Sequence, residues 1–240
     1  MTVNLFCFPF AGGNAHSYQE LAAHLPESIR MVPVELPGRG RRADERLRKN
    51  LMELVDDLLP QVSDRGPEPY ALFGHSMGAS LAHELTRRLT DRRAGGIAPP
   101  VHLFVSGRQA PIVPPKHRRW DLPRSEFLNM LRRLGGCPPE LLEDDELMEF
   151  FEPILRADFE AVESHVAGPA APFETPITVL IGDRDEVTPE EADHWQQETT
   201  HPITVSRLTG GHFFLFDHWA RVAALITSKI LPLRSKAKKV

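Results

Sequence analysis

Tyr70-Ala71-Leu72-Phe73-Gly74-His75-Ser76-Met77-Gly78-Ala79-Ser80-Leu81 is the stretch on which the fold turns. Its first five residues form a short apolar run of the kind that makes a buried strand. Behind it, Leu81, Leu85 and Leu89 recur at helical spacing, so a helix is expected to begin as soon as the strand ends. Such a turn is tight and strained, and glycine at 74 and 78 removes the Cβ atoms that would crowd it. The five residues Gly74 to Gly78 also fit G-x-S-x-G, with Ser76 at the tip of the turn. That motif alone is weak. The flanking strand and helix make Ser76 a candidate nucleophile rather than a surface serine in a glycine-rich turn.

Working outward, five more β-rich runs appear: Val3–Pro9, Met31–Glu35, Val101–Ser106, Ile177–Ile181 and Ile203–Leu208. Helical patterns separate them. Ser17-Tyr18-Gln19-Glu20 reads as a capping box, and Asn50 as the cap of a helix whose apolar face is Leu51, Leu54, Val55, Leu58 and Leu59. Thr188-Pro189-Glu190-Glu191 is a third helix start, and Asp217 precedes Trp219, Val222, Ala223 and Ile226 on one face. Alternation of this kind predicts an α/β protein with a mostly parallel sheet flanked by helices on both faces. A chain of 240 residues is expected to form one such domain, 1–240.

The rhythm breaks between about 110 and 172, where helical patterns pass with no strand between them, so this segment reads as a helical insertion. Phe127, Met130, Leu131 and Leu134 share one face there, and Leu147, Phe150, Phe151, Ile154 and Leu155 another, with Pro153 expected to kink or restart the second helix. The insertion falls where a lid over the strand ends would sit, and its apolar faces are candidates for plain packing or for contact with an acyl chain. The basic tail, 234–240, is expected to be disordered.

A net charge of −5, without a basic stripe, argues against a nucleic-acid partner. Arg39, Arg41, Arg42, Arg46, Arg48 and Lys49 crowd one stretch, which reads as a solvated loop or, less simply, as a docking surface for an acidic partner. The two cysteines have no metal-binding spacing, and the opening MTVNLFCFPF lacks a signal-peptide pattern. No apolar run approaches bilayer length. These features lead to the expectation of a cytoplasmic monomer with no membrane partner. Nucleotide-binding, dinucleotide-binding, HExxH and EF-hand motifs are missing, so neither cofactor nor metal is expected.

A serine hydroxyl needs a histidine to take its proton and a carboxylate to orient that histidine. In α/β-hydrolases the three follow in the order Ser, acid, His. Downstream of Ser76, the run ending at Ile181 leads into Gly182-Asp183-Arg184-Asp185, which puts two candidate acids at a strand's carboxyl end. The last run leads into Thr209-Gly210-Gly211-His212, and of eleven histidines His212 alone follows that strand across a Gly-Gly turn. His218 reads as surface. An oxyanion hole needs two N–H donors: Met77, after the nucleophile, and one from the loop after an early strand, for which Ala11 in Phe8-Pro9-Phe10-Ala11-Gly12-Gly13 is the candidate.

With these residues assembled, the chain resembles the type II thioesterases that accompany modular polyketide synthases and nonribosomal peptide synthetases. The resemblance runs through CFPFAGGNAHSY, LPGRGRR, FGHSMGA, LRRLGGCPPELL, PILRADFEAVESH, GDRDEVTP and GGHFFL, and so covers nearly the whole length. It implies an α/β-hydrolase fold with a helical lid and hydrolysis of acyl groups from the phosphopantetheine arm of acyl carrier proteins, clearing stalled units from the assembly line. It also implies a triad of Ser76, Asp185 and His212, the second aspartate of GDRD being the acid. The alternatives are a chain-terminating fatty acyl carrier protein thioesterase and a general acyl-CoA thioesterase or esterase.

Overall fold

The structure, a computed structural model, describes residues 2–64, 68–91, 98–168 and 170–237. Among them the six strands β1 (Val3–Phe8), β2 (Ile29–Pro33), β3 (Tyr70–His75), β4 (Leu103–Ser106), β5 (Ile177–Gly182) and β6 (Thr204–Leu208) pair in the order β2-β1-β3-β4-β5-β6. Every pairing is parallel. The helices are α1 (Gln19–His24), α2 (Leu51–Ser63), α3 (Met77–Thr90), α4 (Arg124–Leu134), α5 (Pro139–Glu143), α6 (Asp145–Glu163), α7 (Pro189–Asp193) and α8 (Trp219–Ala237).

Strand periodicity explains the layers. In β1, Phe6 and Phe8 point to the face covered by α2 and α3, whereas Val3, Leu5 and Cys7 point to the face covered by α1 and α8. β3 divides likewise, with Tyr70 and Leu72 on the first face and Ala71 and Phe73 on the second. Both faces are therefore apolar, as a parallel sheet buried on both sides requires. The chain leaves β1 in one direction to form β2 and returns to lay β3 on the other side of β1. This makes a topological switch point between β1 and β3, where open α/β sheets hold their ligands beyond the carboxyl ends of the strands.

The turn after β3 depends on two close approaches. A Cβ on Gly74 would lie 2.0 Å from the Gly78 carbonyl oxygen, and one on Gly78 would lie 2.1 Å from that of Phe8. The obstacle in each case is backbone, which has nowhere to go. Gly78→Ala is expected to cost about 3 kcal/mol or more, read as a fall in Tm on the order of 10 °C; an unchanged Tm would show that β1 and α3 part easily.

Between β4 and β5, α4, α5 and α6 build a small core of their own from Phe127, Met130, Leu131, Leu142, Met148, Leu155 and Phe159. Three expectations are corrected here. Leu147 and Phe150 are exposed, because Met148, Phe151 and Leu155 face the small core instead. Residue 153 does not interrupt α6, which is continuous from Asp145 to Glu163. Elsewhere, Ser17 is not a helix cap: α1 starts after Tyr18 without a side-chain cap, and Ser17 Oγ accepts from the Asn14 N–H at 2.9 Å. Asn50 does cap α2, accepting from the Met52 and Glu53 amides, and Thr188 forms the full capping box of α7. At the C-terminus α8 runs to Ala237, so 234–237 of the expected disordered tail are helical; Arg, Ser, Lys and Ala can all extend a helix already nucleated upstream. Residues 238–240 lie outside the described residues. No helix among the described residues is long and apolar enough to cross a membrane.

Candidate active site

Ser76 stands between β3 and α3 at φ 55, ψ −117, the only non-glycine residue with positive φ among the described residues. Such strain costs of order 1–3 kcal/mol and persists only where the surroundings enforce it. The Ser76 amide donates to the Ser106 carbonyl at 2.8 Å, and the glycine contacts described above close the turn behind it. The hydroxyl is thereby presented at the carboxyl edge of the sheet, at the N-terminus of α3, where developing negative charge is favoured.

His212 and Asp185 reach the same point from the ends of β6 and β5. His212 Nε2 lies 3.0 Å from Ser76 Oγ, and His212 Nδ1 lies 3.0 Å from Asp185 Oδ1. Asp185 is fully buried at its side chain and His212 nearly so, which strengthens their interaction. The second candidate acid is engaged elsewhere. Asp183 Oδ1 accepts from the Gly210 amide at 2.8 Å, holding the loop that carries His212, and its side chain is about a third exposed. His218, half-buried, hydrogen-bonds the Thr209 carbonyl through Nε2 at 2.8 Å, on the same loop.

Met77 is buried at the first position of α3, and Ala11 lines the space beside Ser76 together with Gly12 and Gly13. Two spaces open from Ser76. One, of about 210 Å³, is largely apolar and runs beneath the helical insertion, bounded by Phe10, Leu131, Leu141, Phe151, Leu155 and Phe213. The other, of about 50 Å³, is mixed in character, bordered by Arg108, Lys116, Arg119, Glu163 and Glu186 and also by Phe159.

Sequence reasoning passed over two neighbours of this site. His75, the residue before Ser76, is buried against His212 with ring centroids 4.9 Å apart, and its Nδ1 lies 2.9 Å from Ser106 Oγ. Burial, and secondarily the nearby His212, holds its pKa well below the ordinary histidine range. A neutral ring is therefore packed against the His212 imidazole. Phe213, next to His212, wedges between Phe10, 5.0 Å away, and Gly136, where a Cβ would lie 2.3 Å from its ring. The adjoining glycines in LRRLGGCPP were the available signal.

The basic stretch is also reinterpreted. Arg39 pairs with Asp158, Arg42 with Glu45 and Asp57, Arg48 with Glu53 and Asp57, and Lys49 with Glu160. Most of its charge is neutralised by the chain's own carboxylates, which weakens the case for a docking surface there.

A parallel sheet wrapped in helices, with hydroxyl, imidazole and carboxylate hydrogen-bonded in series at its carboxyl edge, defines the α/β-hydrolase class. Within that class the chain belongs to the thioesterase domain family, whose model matches residues 3–230, and it is a thioester hydrolase. It is 38% identical over 217 residues to the gramicidin S biosynthesis protein GrsT of Aneurinibacillus migulanus, covering 90% of this chain and 84% of that one. It is 36% identical over 234 residues to the thioesterase PikA5 of Streptomyces venezuelae, covering 97% and 82%. Among solved structures, the type II thioesterase BorB from the borrelidin biosynthetic cluster superposes with a TM-score of 0.85 at 36% identity, covering 95% of this chain and 93% of that one.

Proposed function

We propose that this thioesterase acts in the cytoplasm on acyl groups carried by the phosphopantetheine arm of carrier proteins, and that it clears stalled or aberrant units from a polyketide or nonribosomal peptide assembly line. The names of its relatives support the pathway, and the observation that carries the chemistry is the relay from Asp185 through His212 to Ser76 at 3.0 Å per step. His212 Nε2 takes the proton of Ser76 Oγ as the oxygen attacks the thioester carbonyl. Asp185 accepts from His212 Nδ1–H, fixing the tautomer and stabilising the imidazolium. The Met77 and Ala11 N–H groups receive the developing oxyanion. Because thiols titrate at about 8.5, the pantetheine sulfur can leave as the thiolate when the carbonyl re-forms, and it then takes the proton held by His212, which returns the imidazole to its neutral form. Water then attacks the acyl-serine as neutral His212 takes its proton, and His212 returns that proton to Ser76 Oγ as the ester bond breaks, releasing the free acid and restoring the hydroxyl.

Size supports short acyl groups. The apolar chamber of about 210 Å³ is modestly larger than a cavity of about 150 Å³ that holds a benzene molecule. The insertion, α4 to α6, acts as the lid that shields this chamber. Release of acetyl, butyryl and decanoyl groups from a phosphopantetheinylated carrier protein, compared with the same groups on CoA, tests the reading. Faster release from the carrier, falling away at decanoyl, is expected. Equal rates on CoA would leave a general thioesterase, and a peak at decanoyl would point to termination of fatty acid synthesis.

A further inference from the structure

Asp158, on α6, is a carboxylate buried away from the reacting groups, where three segments of the chain meet. Its side chain has no solvent exposure, and it accepts from Arg39 Nη1 at 2.5 Å and Nη2 at 2.7 Å. Arg39, itself buried, comes from the loop after β2 and also reaches the Gly13 carbonyl at 3.4 Å. The third bond to Asp158 is from the backbone: the Gly12 N–H donates to Oδ2 at 2.8 Å.

Gly12 belongs to the turn Phe10–Gly13, which is closed by the Gly13 N–H to the Phe10 carbonyl at 2.8 Å. Gly12 has φ +77, which glycine takes readily, and a Cβ there would lie 2.5 Å from Leu155, also on α6. The turn's central peptide, between Ala11 and Gly12, is thus tied to α6 by the Asp158 oxygen, with Leu155 of the same helix close against Gly12.

Stability does not explain the arrangement well. A buried ion pair roughly breaks even against apolar residues of similar volume, because desolvation of both charges offsets their attraction. Apolar residues cannot supply an acceptor to a buried N–H, however, and that acceptor sits one residue from Ala11. The geometry points to Asp158 as a positioning residue: it holds the Phe10–Gly13 turn so that the Ala11 N–H is aimed at the oxyanion, and Arg39 holds Asp158. This rests on the reading of Ser76 and Ala11 given above.

The single change Asp158→Ala would strand a buried guanidinium and risks failing to fold. Two neutral double variants avoid that. Arg39→Met/Asp158→Leu removes both charges and the acceptor; Arg39→Met/Asp158→Asn removes the charges and retains an amide oxygen for Gly12. The substrate is butyryl-CoA, and rates are expressed per serine titrated with a fluorophosphonate, so that incompletely folded material does not count. The Leu variant is expected to lose about 10²-fold in kcat with KM little changed, the penalty of a small misplacement at a reacting centre. The Asn variant is expected to recover at least tenfold of that loss. Equal kcat in the two variants, whether high or low, would overturn the proposal, since a merely structural ion pair is equally absent from both. Failure of the fluorophosphonate to label Ser76 in the unmodified protein would instead overturn the reading of the site.

Discussion

Ser76→Ala is expected to lower kcat by about 10⁴- to 10⁶-fold, the range seen when a triad nucleophile is removed and only oxyanion stabilisation and binding remain. Stability should barely change. The hydroxyl's hydrogen bond is to His212, while the bond that anchors the residue, its N–H to the Ser106 carbonyl, belongs to the backbone and survives. Alanine inherits the same φ of 55, so the strain is neither relieved nor increased. Thermal unfolding should therefore move by no more than about 2 °C. Ser76→Gly offers the complementary result. It is equally inactive, but glycine adopts this backbone geometry freely, so its Tm should rise, exposing stability given up to present the nucleophile. Substantial turnover by the alanine variant would mean that another group attacks the thioester.

Which features could be read in the sequence follows from how far apart their determinants lie. The turn at Ser76 was legible because its causes are local: the strand, the helix and the glycines whose Cβ atoms would strike backbone all fall within a short stretch. β2 was placed two residues late, at 31–35 rather than 29–33. It is an edge strand in which only Ile29 and Val32 are buried, and Glu35 has left the sheet to accept the Ala15 amide at 3.0 Å. Ser17 misled for a similar reason, since its hydroxyl satisfies the strand-exit loop instead of a helix. In α6 the expected face holds at Phe151, Ile154 and Leu155 and fails at Leu147 and Phe150, with Met148 buried in their place. Which of Leu147, Met148, Phe150 and Phe151 turns inward is decided by α4 and α5, and no helical period contains that information. Arg39 and Asp158 are 119 positions apart, so a residue that read as part of a charged loop proved to be buried. The polar groups nearest the chemistry were thus visible one at a time, whereas the polar groups that hold the loops were visible only once the chain had closed on itself.

The two aspartates of the GDRD loop show what that closure adds, and substituting each by asparagine should separate them by orders of magnitude. Asp185→Asn keeps the shape of the side chain but offers His212 either an amide oxygen without charge or an NH2 group. The imidazole is then free to hold its proton on the nitrogen facing Ser76, where it cannot act as a base, and the imidazolium formed during attack loses its counter-charge. An equivalent change in a serine protease lowers kcat about 10⁴-fold, and a loss of that order is expected here. Asp183→Asn should cost less than about tenfold. Its oxygen accepts a backbone N–H from Gly210 at 2.8 Å, a bond that an amide oxygen can also make, and it makes no hydrogen bond to the imidazole. Any effect should appear as looser placement of the His212 loop, with a lower Tm accompanying a modest fall in kcat. Measuring kcat, KM and Tm for both variants on one acyl-carrier substrate decides the matter. If Asp183→Asn is the costlier in kcat while Asp185→Asn turns over normally, the carboxylate 3.0 Å from His212 is structural and the acid lies at 183.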